Sequence, residues 1–475
     1  MWMPNPDLLA SPKYVAIADA LCRDIRNGRL VPGEKLPAQR ELSYALNINF
    51  GTVTKAYALA AERGMVKGEI GRGTFVRKDP PSARTPWPRE DQLAGRIDLR
   101  SDFPCSLAKD PVFKKGFQEL GNHPDFASLL QYQPGSARTS HLEAGSHWLK
   151  KLGITADPDQ VIITNGALHG GFLSLMAMTR PGDTILTDTT TSPAIRSIAA
   201  MLHLVLKPVA MDKMGMVPEE LEEKINSFPC RVVYLIPNFH NPTTAVMPQN
   251  RRQSIAEIIE RSGLFLIEDD VFGGLSRGMG QNKEPEKIQE NDGPLAPVSS
   301  LIPNQSFYVT SFSKGIAPGL RVGYALAPQA FYNKMLTGLR ITSWMASPLM
   351  AELVSQWIWD GNAQRLFGLQ ARELARRTGV VKKILAPFEL GLHDHCPHVW
   401  LKLPPSMRES HAVMALSSKG IDVTPGEYFS VAPGFMPGGL RLCLGQIDDI
   451  NLLESACRVI AATLSQAPAM LGTDI

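Results

Sequence analysis

Apolar positions in the first 78 residues predict three helices followed by a β-hairpin. Residues 14–27 and 38–47 carry apolar side chains at helical spacing, and so do residues 52–64, where Asn49 can cap the helix. The segment MVKGEIGRGTFVRK that follows has the composition of two short strands around a glycine-rich tip. This order of helices and hairpin is typical of a winged helix-turn-helix, whose third helix enters the major groove of DNA.

The pattern changes at residues 79–95, a proline-rich stretch that contains DPPSARTPWPRE and predicts a stiff linker. Beyond it, short β-type runs such as DTILTD, RVVYLIPN and LFLIEDD alternate with helical segments, as in a mostly parallel α/β sheet. From about residue 365 a helix-rich start gives way to β-type segments such as PHVWLKLP, which predicts a smaller α+β subdomain at residues 365–475. The chain therefore divides into an α+β winged helix-turn-helix domain at residues 1–78, the linker, and an α/β domain at residues 96–475.

Composition narrows the functional classes. The net charge of the whole chain is only +3, but residues 11–78 hold twelve Lys and Arg against six Asp and Glu. A basic head fits a polyanion such as DNA, although a solvated basic surface would give the same count. No apolar run approaches the ~18 residues of a membrane span, and the N-terminus lacks the features of a signal peptide. Six scattered cysteines without a CxxC pair argue against a disulfide framework or a metal site and favour a reducing cytoplasm.

Several polar residues follow the predicted strands, at the edge where α/β sheets place ligands. The segment TNGAL offers backbone N–H groups to a phosphate at a helix N-terminus, and IEDD places a carboxylate directly after a strand. The segment SFSKGIAPGLR combines hydroxyls, a guanidinium and an amine that can form a Schiff base with an aldehyde. Each residue alone has an ordinary structural explanation, such as a surface lysine or a helix cap. The evidence for a ligand site is therefore their order along the chain and their common placement after strands. The residues are Gly166, Ala167, Asn241, Asp269, Ser311, Ser313, Lys314 and Arg321.

Two independent sets of motifs connect the chain to known families. Residues 14–78 resemble a GntR-type winged helix through LVPGEKLPAQREL, TVTKAY and GRGTFV. Residues 96–475 resemble a fold-type-I aminotransferase domain through TNGA, NPTT, IEDD and SFSK…PGLRVGY. The pairing, in this order and over nearly the whole chain, resembles the MocR-type subfamily of GntR transcriptional regulators.

The resemblance implies pyridoxal 5′-phosphate (PLP) as the cofactor and gives each candidate residue a role. Lys314 would be the Schiff-base lysine, Asp269 would hold the pyridine nitrogen, and Asn241 would approach the ring O3′. The residues implied around the phosphate are Gly166, Ala167, Ser311, Ser313 and Arg321.

Two more residues match the family outside these motifs. Tyr132, in LLQYQPGS, resembles the tyrosine that reaches the phosphate of the partner subunit. Arg441, in GGLRLCLG, resembles the arginine that binds a substrate or effector carboxylate. A β-edge arginine in a surface ion pair is the alternative interpretation of Arg441.

The sequence departs from the family at two positions next to the cofactor. Ser192 stands where a tyrosine usually stacks on the ring, and Phe272 stands where a tyrosine hydroxyl usually bonds O3′. Stacking contributes on the order of 1 kcal/mol, and a hydrogen bond to a charged group roughly 1.5–3 kcal/mol. We expect the two changes to impair catalysis more than PLP occupancy, unless a neighbouring aromatic side chain substitutes.

The head departs from its relatives at the start of the third helix, which reads Asn49-Phe50-Gly51-Thr52 in place of a common Ser/Thr-Arg pair. Phe50 either contacts a thymine methyl group or packs against its own domain. The candidate DNA contacts are Arg40, Phe50, Thr52, Thr54, Lys55, Arg72 and Gly73.

The resemblance implies a cytoplasmic transcription factor that acts as a head-to-tail homodimer on double-stranded DNA. Its large domain would sense PLP or an amino compound and alter operator binding. Two other functions fit the same residues: an active PLP-dependent aminotransferase with an accessory DNA-binding head, and a DNA-binding protein that has lost PLP. The family's stacking tyrosine is replaced by Ser192, and the tyrosine whose hydroxyl bonds O3′ is replaced by Phe272. These two replacements favour the regulator over the enzyme.

Overall fold

The computed structural model describes residues 2–4, 13–26, 29–31, 33–62, 65–69, 72–77, 95–133, 137–280, 295–432 and 435–465. Within the chain, two compact units separate, Met1–Arg89 and Glu90–Ile475. Apart from residue 95, the expected linker lies outside the described residues. The domain bounds at 78, 95 and 365 stay predictions.

The first unit has the winged helix-turn-helix expected from the sequence. Strands β1 and β2 pair antiparallel, with Val66 opposite Val76. The core is formed by apolar side chains from every helix and from the hairpin, including Leu21, Leu42, Val53 and Val76. The elements are α1 (Lys13–Arg26), α2 (Gln39–Ala45), α3 (Phe50–Glu62), β1 (Val66–Glu69) and β2 (Gly73–Val76).

The third helix begins two residues earlier than the apolar pattern predicts. Asn49 Oδ1 accepts a hydrogen bond from Gly51 N at 2.8 Å, so the side-chain cap holds the first turn in place. Phe50 and Gly51 therefore belong to α3 and not to the preceding turn. This places Phe50 at the helix end that would face DNA.

The second unit is built on a mixed seven-stranded sheet with the order β4-β12-β11-β10-β9-β5-β6. The neighbours from β11 through to β6 run parallel, and β12 runs antiparallel to both β11 and β4. The mostly parallel sheet expected from the sequence is therefore confirmed. The strands are β4 (Ile162–Thr164), β5 (Thr184–Asp188), β6 (Val205–Val209), β9 (Val232–Leu235), β10 (Phe265–Asp269), β11 (Ser306–Ser311) and β12 (Gly323–Leu326), and a separate small hairpin pairs β7 (Met211–Asp212) with β8 (Gly215–Met216).

Helices pack against this sheet and against each other. The helix that follows β4 contacts β10, β11 and β12 and brings its N-terminus to the sheet edge. The helices are α4 (Pro111–Gly121), α5 (Phe126–Leu129), α6 (Thr139–Lys151), α7 (Ala167–Met178), α8 (Pro193–Met201), α9 (Pro218–Ser227), α10 (Gln249–Arg261), α11 (Gly273–Ser276), α12 (Val298–Leu301), α13 (Gln329–Ser343), α14 (Pro348–Trp359), α15 (Asn362–Ile384), α16 (Glu409–Ser417) and α17 (Ile450–Ser465). Within the described residues, none of them has the length and apolar character to cross a membrane.

A smaller sheet near the C-terminus has the order β13-β14-β17-β16. A strand from the start of the unit, β3, pairs in parallel with β15 beside it, a connection that the sequence pattern did not reveal. Arg96 strengthens the connection because its Nε donates to Asp422 Oδ2 at 2.9 Å. The strands are β3 (Ile97–Asp98), β13 (Leu390–Gly391), β14 (His398–Lys402), β15 (Ile421–Asp422), β16 (Thr424–Pro425) and β17 (Gly439–Cys443).

Candidate functional site

The candidate residues follow strands that end at the same edge of the large sheet. Asp269 is the last residue of β10, and Ser311 is the last residue of β11. Gly166 follows β4, and Arg321 lies just before β12, which runs in the opposite direction. The carboxyl edge of an α/β sheet is where ligands commonly bind, and this edge collects an amine, a carboxylate, hydroxyls and a guanidinium.

A cradle for an anion lies where α7 begins. Gly166 occupies the N-cap position of α7 with a φ of 89°, in the left-handed region that favours glycine. A Cβ at Gly166 would lie 2.8 Å from Arg321 Nη2, so the missing side chain lets the guanidinium approach the helix N-terminus. Arg321 Nη2 donates to Asn165 O at 2.5 Å, and Arg321 Nη1 donates to Ser313 Oγ at 3.4 Å. Free helix N–H groups, a guanidinium and a hydroxyl at one point suit a phosphate.

The carboxylate of Asp269 is held from one side by a tyrosine. Tyr234 Oη donates to Asp269 Oδ2 at 2.7 Å, and Val271 N donates to Oδ1 at 3.4 Å. Burial raises the pKa of Asp269, although the hydrogen bond from Tyr234 opposes this effect. A cation placed against Asp269 would stabilise its charged form.

Asn241 and Arg441 contact each other although they are 200 residues apart in the chain. Arg441 Nη1 donates to Asn241 Oδ1 at 2.9 Å, which leaves the amide nitrogen of Asn241 available as a donor. Arg441 Nη2 donates to Arg100 O at 2.6 Å, and the guanidinium lies 4.8 Å from the ring centroid of Phe429. Arg441 is buried on β17, a strand with neighbours on both sides, so the alternative of a surface ion pair at a sheet edge is wrong.

The amine of Lys314 is paired with a carboxylate that sequence analysis did not single out. Lys314 Nζ lies 2.9 Å from Asp102 Oδ2 and also donates to the backbone carbonyl of Asp102. Burial alone would raise the pKa of Asp102, but the charges of Lys314 and Arg441 oppose this effect, and the pKa is lowered to about 2. Burial lowers the pKa of His398 to about 4, so its ring is neutral at pH 7.

The two departures from the family have different surroundings. Ser192 occupies the N-cap position of α8, where its Oγ accepts from Ala194 N at 3.4 Å. Phe272 is buried and its ring packs against His398, with centroids 5.6 Å apart. The serine hydroxyl therefore serves the backbone, and Phe272 contributes packing where a tyrosine would also offer a hydroxyl.

Tyr132 projects from the unit instead of joining the other candidate residues. Its side chain is 74% exposed, and its ring lies against Trp344 with centroids 5.2 Å apart. An exposed aromatic pair is available to a second subunit. Its role toward a partner's phosphate stays a prediction.

The candidate DNA contacts lie on the surface of the first unit. Arg40, Thr54, Lys55 and Arg72 are exposed, and Thr52 is half-buried. Thr54 Oγ1 donates to Gln39 Oε1 at 2.9 Å, which links α3 to the start of α2. In the wing, Gly73 has a φ of 114° and lets the chain turn beside Lys35.

The surroundings of Phe50 combine the two alternatives that the sequence left open, contact with DNA and packing against its own domain. Its side chain is 46% exposed, and the guanidinium of Arg40 lies 5.9 Å from its ring centroid. The ring is therefore partly covered by its own domain and partly available to DNA.

Comparison with known proteins decides the family. Residues 96–460 match the family Aminotransferase class I and II, and residues 13–76 match the family Bacterial regulatory proteins, gntR family. The chain belongs to the aminotransferase class I and II family. Its head matches the gntR family, and this order of domains is the one expected of a MocR-type regulator. The regulator YdeF of Bacillus subtilis is similar to it, at 28% identity over 98% of this chain and 96% of its own length.

Two further relatives of this chain have names that describe a regulatory role. The pyridoxine biosynthesis transcriptional regulator PdxR of Corynebacterium glutamicum is 25% identical over 95% of each chain. The transcriptional regulator TauR of Rhodobacter capsulatus is 24% identical over 92% of this chain and 94% of its own length.

Solved structures support the fold of the large unit. A kynurenine aminotransferase of Pyrococcus horikoshii superposes with a TM-score of 0.70 at 20% identity, over 78% of this chain and 91% of its own. An archaeal alanine:glyoxylate aminotransferase superposes with a TM-score of 0.69 at 19% identity, over the same shares. The fold-type-I architecture expected from the sequence is thereby confirmed.

Three residues of this site were not identified as candidates from the sequence. Asp102 follows a strand of only two residues, Tyr234 lies inside an apolar run, and His398 begins a β-type segment. Their side chains reach the site through contacts between distant segments. The polarity of Tyr234 and His398 within otherwise apolar strands was the only available hint.

Proposed function

We propose that this protein is a cytoplasmic transcriptional regulator that binds PLP at Lys314 and operator DNA through its winged head. One observation carries the proposal. The Lys314 amine, the Asp269 carboxylate and the cradle of Gly166 and Arg321 meet at one edge of the sheet, in a chain that also has a GntR-type head. The names of the relatives PdxR and TauR support regulation as the function.

The residues present fit PLP at each of its polar groups. The close approach of Arg321 to Gly166, where a Cβ would collide, leaves a cradle for the phosphate. The amide nitrogen of Asn241 can donate to the ring hydroxyl, because only its oxygen is engaged by Arg441. Asp269, whose pKa is raised by burial, would gain a cationic partner in the pyridinium nitrogen.

When bound, PLP would supply an aldehyde for amine chemistry and an electron-withdrawing ring. The protein's part is to hold and orient it. Lys314 would fix the aldehyde carbon, Arg321 and the N-terminus of α7 would hold the phosphate, and Asp269 would keep the ring nitrogen protonated. Tyr234 fixes the orientation of the Asp269 carboxylate.

Two substitutions favour sensing over turnover. Phe272 has no hydroxyl to offer the ring, and Ser192 has no aromatic face to stack on it. The groups that would bind the phosphate, the aldehyde and the pyridine nitrogen of the cofactor remain. The two groups that would stack on the ring and bond O3′ are changed. We therefore expect a slow or absent transamination beside stable PLP binding.

The head would bind DNA as part of a homodimer that contacts two half-sites. Exposed Arg40, Lys55 and Arg72 supply positive charge to phosphates. PLP or an amino compound would act by its different affinity for two arrangements of the dimer. Tyr132, exposed beside Trp344, would reach the partner subunit's phosphate site.

The test is a DNA-binding titration with and without PLP. The operator is first selected from random double-stranded DNA by the purified full-length protein. Lys314→Ala should abolish the covalent PLP adduct, which is measured by peptide mass after borohydride reduction, and should remove the effect of PLP on DNA affinity. The expected change in affinity on adding PLP is on the order of 5–150-fold, the usual range of allosteric coupling.

Lys402→Ala is the matched control, because Lys402 is an exposed lysine paired with Glu389 on the surface. It should retain both the adduct and the PLP response. An adduct in Lys314→Ala, or DNA affinity that is the same with and without PLP in the wild type, would show the proposal to be wrong.

A further inference from the structure

A carboxylate lies beside the Schiff-base lysine, and the family motifs assign it no role. Asp102 Oδ2 is 2.9 Å from Lys314 Nζ, and the Asp102 side chain is only 11% exposed. Its second oxygen, Oδ1, is buried without a hydrogen-bond partner among the described residues. A buried carboxylate oxygen without a donor is costly, so it is a site where a ligand's donor would bind favourably.

The position of Asp102 is fixed by the chain before it. Leu99 N donates to Asp422 O at 2.8 Å, and Cys443 N donates to Leu99 O at 2.8 Å, so this segment lies between β15 and β17. Arg100 N and Nε both donate to Asp98 Oδ1, at 2.8 and 3.0 Å. Asp102 therefore approaches Lys314 from a braced segment and not from a free loop.

The same segment engages the arginine expected to bind a carboxylate. Arg441 Nη2 donates to Arg100 O, and Arg441 Nη1 donates to Asn241 Oδ1. Its Nε lacks a hydrogen-bond partner within the described residues. Two nitrogens of the Arg441 guanidinium are thus engaged and one is free. The guanidinium is also close enough to Asp102 for its charge to lower the pKa of that carboxyl.

An amino acid brought to Lys314 carries both an ammonium ion and a carboxylate. Asp102 attracts the ammonium ion but repels the carboxylate, which lies only two bonds further along the molecule. Arg441 offsets this repulsion only in part, because Asn241 and Arg100 already engage two of its three nitrogens. A simple alkylamine would feel the attraction alone.

We propose that Asp102 sets the ligand class of this site, so that it favours primary amines without an adjacent carboxylate over α-amino acids. The inference rests on the proposed binding of PLP at Lys314. The free Oδ1 accepts from the ligand's ammonium group, and Oδ2 stays with Lys314. This makes Asp102 a specificity-determining residue.

The test compares ethylamine with alanine, which is the same amine with a carboxylate added. Binding of each to the PLP-loaded, full-length protein is measured by calorimetry. In the wild type, ethylamine should bind more tightly than alanine. In Asp102→Asn, ethylamine should weaken and the preference should shift toward alanine by about tenfold, the effect of removing one close charge.

Two variants separate charge from structure. Asp102→Glu restores the carboxylate and should restore the preference for ethylamine. Asp212→Asn removes a carboxylate that pairs with Arg251 outside the site, and should leave the preference unchanged.

Each result decides the inference. If PLP forms its adduct and Asp102→Asn weakens both ligands equally, Asp102 has only a structural role and the inference is wrong. Alanine binding the wild type tenfold more tightly than ethylamine would overturn it without any variant. If the wild type forms no PLP adduct, the proposed function is wrong and the inference falls with it.

Discussion

The two ends of the candidate cofactor site differ in how many of the expected cofactor-binding groups they contain. At the phosphate end, Gly166, Arg321 and Ser313 form a closely packed cradle at the start of α7. At the ring end, Phe272 offers packing without a hydroxyl, and the hydroxyl of Ser192 caps α8. In the proposed function, holding the cofactor and tuning its chemistry would depend on separate residues, so the first could persist while the second is reduced.

This difference explains how an aminotransferase fold can serve a regulator. A sensor needs a bound ligand and a response, whereas an enzyme must also stabilise a transition state more than the ground state. The phosphate end would serve the first need. The ring end and Asp102 are where we expect this chain to be poorly suited to the turnover of amino acids.

The largest effect is expected from filling the phosphate cradle. Gly166→Ala places a Cβ 2.8 Å from Arg321 Nη2, which displaces the guanidinium from the helix N-terminus. We expect the Kd for PLP to rise about 100-fold, or about 2.7 kcal/mol, measured by equilibrium dialysis.

Gly182→Ala is the matched control for backbone strain. Gly182 has a φ of 92°, close to the 89° of Gly166, but a Cβ there would meet no atom within 4 Å. Both variants should lose roughly 1–2 kcal/mol of stability from the left-handed backbone, and Gly182→Ala should keep its PLP affinity. Equal loss of PLP binding in the two variants would contradict a cradle at Gly166.

A smaller effect is expected from restoring the ring end. Phe272→Tyr supplies the missing hydroxyl at a position already packed beside His398. We expect PLP to bind about tenfold more tightly, a gain of about 1.4 kcal/mol. We also expect an added amine to react faster with the bound PLP, as measured by the change in PLP absorbance. Phe307→Tyr, which adds a hydroxyl to a buried phenylalanine of β11, should give neither gain. Unchanged PLP affinity in Phe272→Tyr would mean that the ring end is not limited by this hydroxyl.

The smallest effect concerns the stability of the PLP-free protein. Burial raises the pKa of Asp269, so its charged form destabilises the fold above the folded-state pKa, and this penalty fades as the pH falls through that value. Asp269→Asn should therefore stabilise the PLP-free protein at pH 7, by on the order of 1 kcal/mol, as measured by urea unfolding. The gain should shrink as the pH is lowered, and added PLP should stabilise the wild type more than the variant. A variant that is less stable at pH 7 without PLP would show that the hydrogen bond from Tyr234 outweighs the burial of the charge.

The sequence predicted the elements of the head, several strands of the large sheet and most of the candidate site residues. Helical periodicity and the glycine-rich hairpin predicted the winged head, and the β-type runs before TNGAL, IEDD and SFSKG predicted the strands that carry the cofactor residues. These signals are local, because a strand followed by a polar turn is written in consecutive residues. The start of α3 was missed by two residues, since the Asn49 cap and not the apolar pattern sets it.

Only the tertiary structure decided which distant residues share the site. The pairing of β3 with β15 joins segments more than 300 residues apart, and it brings Asp102 to Lys314 and Arg100 to Arg441. No periodicity records such contacts, because they depend on how whole elements pack and not on the residues next to them in the chain. The sequence by itself identified a lysine suited to PLP, and the fold placed beside it the carboxylate that we expect to select its ligand.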